Sequence, residues 1–304
     1  MSEAEERVEI RPIEDQQGLR ECERLQREIW GFVELAVVPD HLMLVASKNG
    51  GLLLGAYDER GRLVGFSFSL LGLREEEGRR LHHWSLMTGV LPDVRYRGVG
   101  YRLKLAQRER VLEQGIELIS WTYDPLQSAN AYFNFAKLGV IAREYERDFY
   151  GEMRDQLNRG LPSDRLTVEW WLRSPRVEAK LARRYRLPSV EELLEGGAEL
   201  VNRTELEGDW LVNAGYKLDL EGERLLIEVP TDTPAMKEQA LELARRWREE
   251  TREIFESYLG RGYLVSEFLT VEVEEEGGRR RRGYYLLERA APEEVLRREG
   301  LNLS

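Results

Sequence analysis

The chain has 304 residues, a formal net charge of −11 and a pI near 5.1, a balance that argues against nucleic acid as a general partner while leaving room for a local basic cleft. A single cysteine, Cys22, excludes any intramolecular disulfide, and its place in an apolar helix predicts an ordinary buried residue rather than a nucleophile. The first residues, M-S-E-A-E-E-R, are acidic and carry no apolar run, so neither a signal peptide nor a membrane span is expected, and a cytoplasmic location follows as the expectation.

In chain order, Arg7 to Ile13 reads as a first strand and Gly18 to Trp30 as an amphipathic helix. Gly51 to Tyr57 and Arg62 to Leu71 read as a hairpin across Asp58-Glu59-Arg60-Gly61, and Leu81 to Leu91 as the fourth strand. The fourth strand runs straight into V-L-P-D-V-R-Y-R-G-V-G, Val90 to Gly100, a basic glycine-rich turn that opens into a helix from Tyr101 to Gln114, closed by Gly115.

A helix N-terminus has backbone N–H groups without intrahelical partners and a partial positive charge, so it suits an anion. Gly98 and Gly100 remove side chains that would keep a diphosphate away from those amides, and Arg95 and Arg97 add charge. The P-loop spacing is absent, and Leu103 stands where the dinucleotide fingerprint needs its third glycine. The turn is followed by an apolar strand, Ile116 to Tyr123, and then by N-A-Y-F-N-F-A-K-L-G, Asn130 to Gly139.

At 304 residues a second unit is expected, with its seam at Ser174-Pro175-Arg176. Beyond it, Ser189 to Glu195 reads as a short helix, and Trp210 to Leu220 and Arg224 to Val229 as strands. Thr231 to Leu259 reads as one long helix opened by Thr231-Asp232-Thr233-Pro234, and Tyr263 to Val273 and Gly283 to Arg289 as the closing strands. The E-E-E-G-G-R-R-R-R between them reads as facing, self-neutralising arms of a hairpin rather than a nucleic-acid patch.

The R-x-x-G-x-G of Arg95, Gly98 and Gly100, followed at the right distance by N-x-x-A, an aromatic pair and K-x-G, resembles the acyl-coenzyme A motifs of the GNAT superfamily of N-acyltransferases, over roughly the first 174 residues. The resemblance implies an α/β (α+β) chain: a GNAT-type mixed, mostly antiparallel sheet flanked by helices in residues 1–174, and a C-terminal α+β unit in 175–304 whose strand, helix, strand, strand order resembles half of a GNAT fold. That unit lacks the glycine turn, so a lid, a wall or a homodimer-forming element is expected of it. T-Y-D-P-L after the fifth strand, D-F-Y-G at Asp148 to Gly151, L-P-S-D-R-L-T-V-E-W-W-L at Leu161 to Leu172 and W-R-E-E-T-R-E-I-F-E resemble a bacterial GNAT subfamily. Some members of that subfamily are linked to amino-acid N-succinylation.

The cosubstrate implied by the resemblance is acetyl-CoA or another acyl-CoA, succinyl-CoA among them, and the partner a small-molecule amine, with no metal. Backbone groups of Met87, Thr88, Gly89 and Val90 would bind the pantetheine arm. The turn Arg95, Tyr96, Arg97, Gly98, Val99, Gly100 and Tyr101 would hold the diphosphate, and Asn130, Phe133 and Lys137 would lie beside the coenzyme. N-acyl transfer needs a neutral amine and a proton for the leaving thiolate. Family members often draw that proton from a Tyr whose place here is taken by Phe135, so Tyr132 and Asn134 are the replacement candidates.

For the base, adjacent His82 and His83 point to opposite faces of the fourth strand, with His83 expected on the face of Ser85, Met87 and Gly89. Asp124, at the end of the fifth strand, is the other candidate, with an Asx turn as its plain structural alternative. The competing classes are a noncatalytic acyl-CoA-binding regulator that lost its acid at Phe135, and a decayed scaffold that binds no coenzyme.

Overall fold

Asp15 starts the first helix because its carboxylate accepts the N–H of Gly18 at 2.7 Å, and Gly31, at φ 69°, ends it in the left-handed conformation that glycine adopts without strain. The computed structural model describes residues 8–75, 79–94, 98–151, 160–275 and 278–301. Helix α1 (Gln16–Trp30) follows strand β1 (Glu9–Pro12) and buries Leu19, Cys22, Leu25 and Ile29 along one stripe. Cys22 is buried, as its sequence position implies, and burial pushes its thiol far up, which leaves it inert. A second helix, α2 (Asp40–Lys48), was not signalled by periodicity, since only Met43 of its apolar run is buried.

Strands β2 (Leu52–Tyr57), β3 (Leu63–Arg74) and β4 (Arg80–Val90) extend β1 antiparallel. Helix α3 (Val99–Glu113) then carries the chain to β5 (Leu118–Tyr123), which lies parallel to β4. The order in this part of the sheet is β1-β2-β3-β4-β5, and Phe66, Phe68, Leu103 and Val99 sit in its core.

The described residues up to Trp121 form one compact unit and those from Thr122 onward another. The second holds α4 (Ser128–Ala131), a π-helical turn Tyr132–Leu138, β6 (Ile141–Glu146), β7 (Arg165–Trp171), α5 (Pro175–Leu181), α6 (Val190–Glu195), β8 (Glu199–Leu200), β9 (Asn202–Glu207), β10 (Trp210–Tyr216) and β11 (Arg224–Val229). Helices α7 (Thr233–Gln239) and α8 (Leu241–Gly260), strands β12 (Leu264–Glu275) and β13 (Gly278–Glu288), and α9 (Pro292–Arg297) complete it. Its main sheet runs β7-β6-β12-β13-β11-β8, antiparallel except for β11 against β8, and β9 and β10 form a separate hairpin.

Compactness thus divides the chain upstream of the Ser174–Arg176 seam, for a physical reason. Ala142 of β6 pairs with Val265 of β12, and buried Arg176 and Lys180 of α5 both reach Glu267, at 2.9 and 2.8 Å. Such charges are tolerated inside a protein only when paired, so α5 and the π-turn are tied to β12. The single helix expected over Thr231 to Leu259 is broken at Ala240, whose φ −144° and ψ 58° fit no helix. Asp232 takes the N-cap position, while the Thr231 hydroxyl donates to the Arg281 carbonyl at 2.8 Å. Strand β10 stops at Tyr216, short of Leu220. The charged arms do pair across the hairpin: Glu272 faces Arg281 at 2.9 Å and Glu274 faces Arg279 at 2.6 Å, exposed contacts worth about 0–1 kcal/mol each.

Candidate active site

Gly98 is the N-cap of α3 at φ 79°, and a Cβ added there would meet no atom within 4 Å. Its carbonyl accepts the first backbone bond of the helix, from Arg102 N–H at 3.0 Å, so the N–H groups of Val99 and Gly100 precede the intrahelical ladder. At Gly100 an added Cβ would lie 3.8 Å from Val90 Cγ2, which sets the helix start beside the end of β4. Arg102 in turn donates to the Val8 carbonyl. Arg95, Tyr96 and Arg97 lie outside the described residues.

Strand β4 parts from β5 close to this helix start. The described ladder between them holds His83 against Ile119 and Trp84 against Ser120, with no registered pair from Ser85 to Val90. On its other side β4 remains paired to β3 as far as Val90, but with a bulge: Phe68 pairs with Met87 and Ser69 with Ser85, leaving Leu86 as the extra residue. The bulge corrects the face expected for His83. Ser85 points at α3, whereas Gly89 faces α1, where an added Cβ would lie 2.7 Å from the Trp30 ring, and Met87 alternates with Gly89.

The His83 imidazole is fully buried and engaged at both nitrogens, Nδ1 with Ser69 Oγ at 2.9 Å and Nε2 with Gln114 Oε1 at 2.8 Å. Burial also holds its pKa below the ordinary histidine range. Its place is that of a link between β3, β4 and α3. His82, on the opposite face, packs edge-on to Trp84.

Beside Ser85 lies a group the sequence did not single out. Lys104, a charged residue of α3, is only 3% exposed. Its Nζ donates to Ser85 Oγ and Gln107 Oε1, each at 3.0 Å, and sits 3.7 Å from the centroid of Trp121. Burial pulls its pKa from 10.5 to about 7. Between those values the unfolded chain holds a proton that the folded chain has released, so folding stability rises with pH above 7. Urea unfolding of the protein and of Lys104→Met at pH 7 and 9.5 should therefore show the wild type gaining about 2 kcal/mol or more relative to the variant at the higher pH. Parallel pH trends would show that Lys104 stays charged in the fold.

In the second unit, the segment Asn130 to Gly139 is a short α-turn that widens into a π-helix, a feature that often marks functional sites. Asn130 and Lys137 are exposed, Phe133 is half-buried and Asn134 is buried. Phe135 is fully buried with its ring edge-on to Tyr123 and Tyr285, so the position expected to carry an acid belongs to the core. Tyr132 is 40% exposed, with Lys137 Nζ 5.9 Å from its ring centroid.

Asp124, the residue after β5, makes the Asx turn that its sequence context allows: Oδ1 accepts the Leu126 N–H at 2.9 Å. The same oxygen accepts from Arg248 Nη2 of α8 at 2.6 Å. Among the described residues nothing donates to Oδ2. Arg248 had no sequence signal of its own in an arginine-rich helix.

No protein-family model and no curated protein matches the chain. Among solved structures, a protein from Desulfovibrio desulfuricans assigned to the GNAT family of acetyltransferases is 14% identical, covers 55% of this chain and 99% of its own length, and has a TM-score of 0.44. Arabidopsis thaliana Naa50, bound to a bisubstrate analogue, is 16% identical over 53% of this chain and 97% of its own, at 0.41. The Escherichia coli ribosomal-protein-S18-alanine N-acetyltransferase is 12% identical over 54% and 92%, also at 0.41. The strand order of the first unit, the parting of β4 from β5 and the glycine turn that opens α3 agree with the mixed, mostly antiparallel α/β fold that the sequence resemblance implies for this part of the chain.

Proposed function

We propose that the chain transfers an acyl group, acetyl or succinyl, from acyl-CoA to the amine of a small molecule, an amino acid being the favoured acceptor, by direct attack in a ternary complex. The observation that carries this reading is the left-handed Gly98 opening α3 immediately after β4 has left β5. Backbone amides that precede the intrahelical ladder at the start of α3 suit the diphosphate, and the stretch of β4 from Met87 to Gly89, beyond its last registered pair with β5, suits the amide groups of the pantetheine arm. We assign the acyltransferase core to residues 1–174, which carry the acyl-coenzyme A motifs, and an accessory role to 175–304.

In the reaction the amine nitrogen attacks the thioester carbonyl, a C–N bond forms and the C–S bond breaks. Asp124 Oδ2 takes the proton that the nitrogen loses, and the Tyr132 hydroxyl gives one to the departing thiolate. His83 does not serve as the base in this scheme, because both its nitrogens are occupied. Tyr132→Phe is expected to lower kcat about 10- to 100-fold with little change in acyl-CoA affinity, measured by thiol release and calorimetry. An unchanged kcat would remove Tyr132 as the acid.

One observation favours a second reading, a noncatalytic acyl-CoA-binding regulator: Phe135 is locked in the aromatic core where related enzymes often place their acid. Thiol release that depends on an added amine separates the two. Binding of acetyl-CoA without turnover on any amine of a broad panel is the regulator's result.

A further inference from the structure

Among the arginines of the second unit that are anchored to carboxylates, Arg176, Arg252 and Arg248 use their guanidinium groups differently. Arg176, fully buried, engages every nitrogen: Nε donates to the Gly139 carbonyl, Nη1 to Tyr185 Oη and Nη2 to the Ser266 carbonyl, with Nη2 also ion-paired to Glu267 Oε1 at 2.9 Å. Arg252 grips Asp164 with two nitrogens, at 2.7 and 2.8 Å. Arg248, one helical turn before Arg252, is 1% exposed and donates through Nη2 to Asp124 Oδ1 at 2.6 Å; Tyr145 and Asp164 are its other electrostatic partners, and its Nε and Nη1 make no bond of good geometry.

Such an arrangement is poor value for stability. Buried donors left unbonded cost free energy, and a buried ion pair rarely outdoes a hydrophobic replacement of similar volume. What the pair does achieve is geometric. Asp124 Oδ1 is pinned from two directions, by Arg248 and by the Leu126 N–H, and Oδ2 is left as the oxygen with its lone pairs uncommitted among the described residues. We infer that Arg248 is a positioning residue for Asp124: it fixes the carboxylate rotamer so that Oδ2 receives the proton of the attacking amine. The inference rests on the proposed role of Asp124 as the base. It gives the Leu241–Gly260 helix, far along the chain, a part in the chemistry through Asp124.

The test is a double-mutant cycle on the full chain, with acetyl-CoA as donor and the best acceptor from a panel of the common amino acids. Arg248→Met is expected to lower kcat about 30- to 100-fold, with the acetyl-CoA dissociation constant within about twofold of wild type, and Arg248→Lys to restore part of the loss. The double variant Asp124→Asn/Arg248→Met should be no more than about threefold slower than Asp124→Asn alone, because the arginine acts only through that carboxylate. If Arg248→Met does not fold, Arg248→Gln, which keeps one amide donor for Oδ1, carries the same comparison. Losses that multiply in the double variant, or a kcat unchanged by Arg248→Met while Asp124→Asn is slow, would overturn the inference alone. A fast Asp124→Asn enzyme would overturn it by removing the base, and absence of turnover by the wild type across the panel would overturn the acyltransferase reading beneath it.

Discussion

Replacing Gly98 by valine is expected to weaken acetyl-CoA binding about 100-fold or more, close to 3 kcal/mol, while the protein remains folded. Nothing lies within 4 Å of an added Cβ, so no neighbour has to move. The new methyls instead stand over the first amides of α3, where a diphosphate has to come within hydrogen-bond distance. The left-handed backbone, φ 79°, adds about 1–2 kcal/mol of strain for a residue with a Cβ. Gly61, at φ 75° in the β2–β3 turn and also clear of neighbours, isolates that strain: Gly61→Val should cost similar stability and leave acetyl-CoA affinity unchanged. Calorimetric titration of both variants reads the difference, and equal affinities for Gly98→Val and wild type would sink the diphosphate cradle.

Asp124→Asn is expected to lower kcat by about 10²- to 10⁴-fold with acyl-CoA affinity preserved, the range typical of losing a positioned general base. The asparagine can still accept the Leu126 N–H, so the Asx turn survives. What it cannot do is neutralise Arg248, and a buried guanidinium without its carboxylate costs about 3–5 kcal/mol. The single variant should therefore melt well below wild type, and Arg248→Met in the same chain should recover much of that stability without recovering activity. A variant that melts low but turns over at the wild-type rate would reduce Asp124 to a structural turn residue.

The turn from Val90 to Gly100 was legible because glycine marks two needs at once, a positive φ and an unobstructed helix start, and both are found at Gly98. Hairpin strands and the α1 stripe were legible from their period, as was the buried Cys22. The bulge at Leu86 was not, since no glycine or proline announces it, and it silently moves Met87 and Gly89 to the face opposite His83 and Ser85. Lys104 reads as a solvated helix charge in any window, and only the approach of Ser85 and Trp121 shows that α3 turns it inward. Arg248 is one arginine among many in α8, and its partner lies 124 residues away, a separation that no local pattern encodes. The break at Ala240 likewise has no local signal: the cap sequence Thr231 to Pro234 marks where α7 starts, with Asp232 as its N-cap, and says nothing of where it ends.

The most direct test of acyl-CoA binding at the α3 turn is calorimetric titration of the purified protein with acetyl-CoA and succinyl-CoA, with free adenosine diphosphate as the control for indiscriminate anion binding. Saturable binding of a thioester well above that control, lost in Gly98→Val, is the predicted result, and the tighter thioester identifies the donor for the amine screen. No binding of either thioester would contradict the enzyme and the regulator alike and leave a GNAT-type scaffold without its coenzyme.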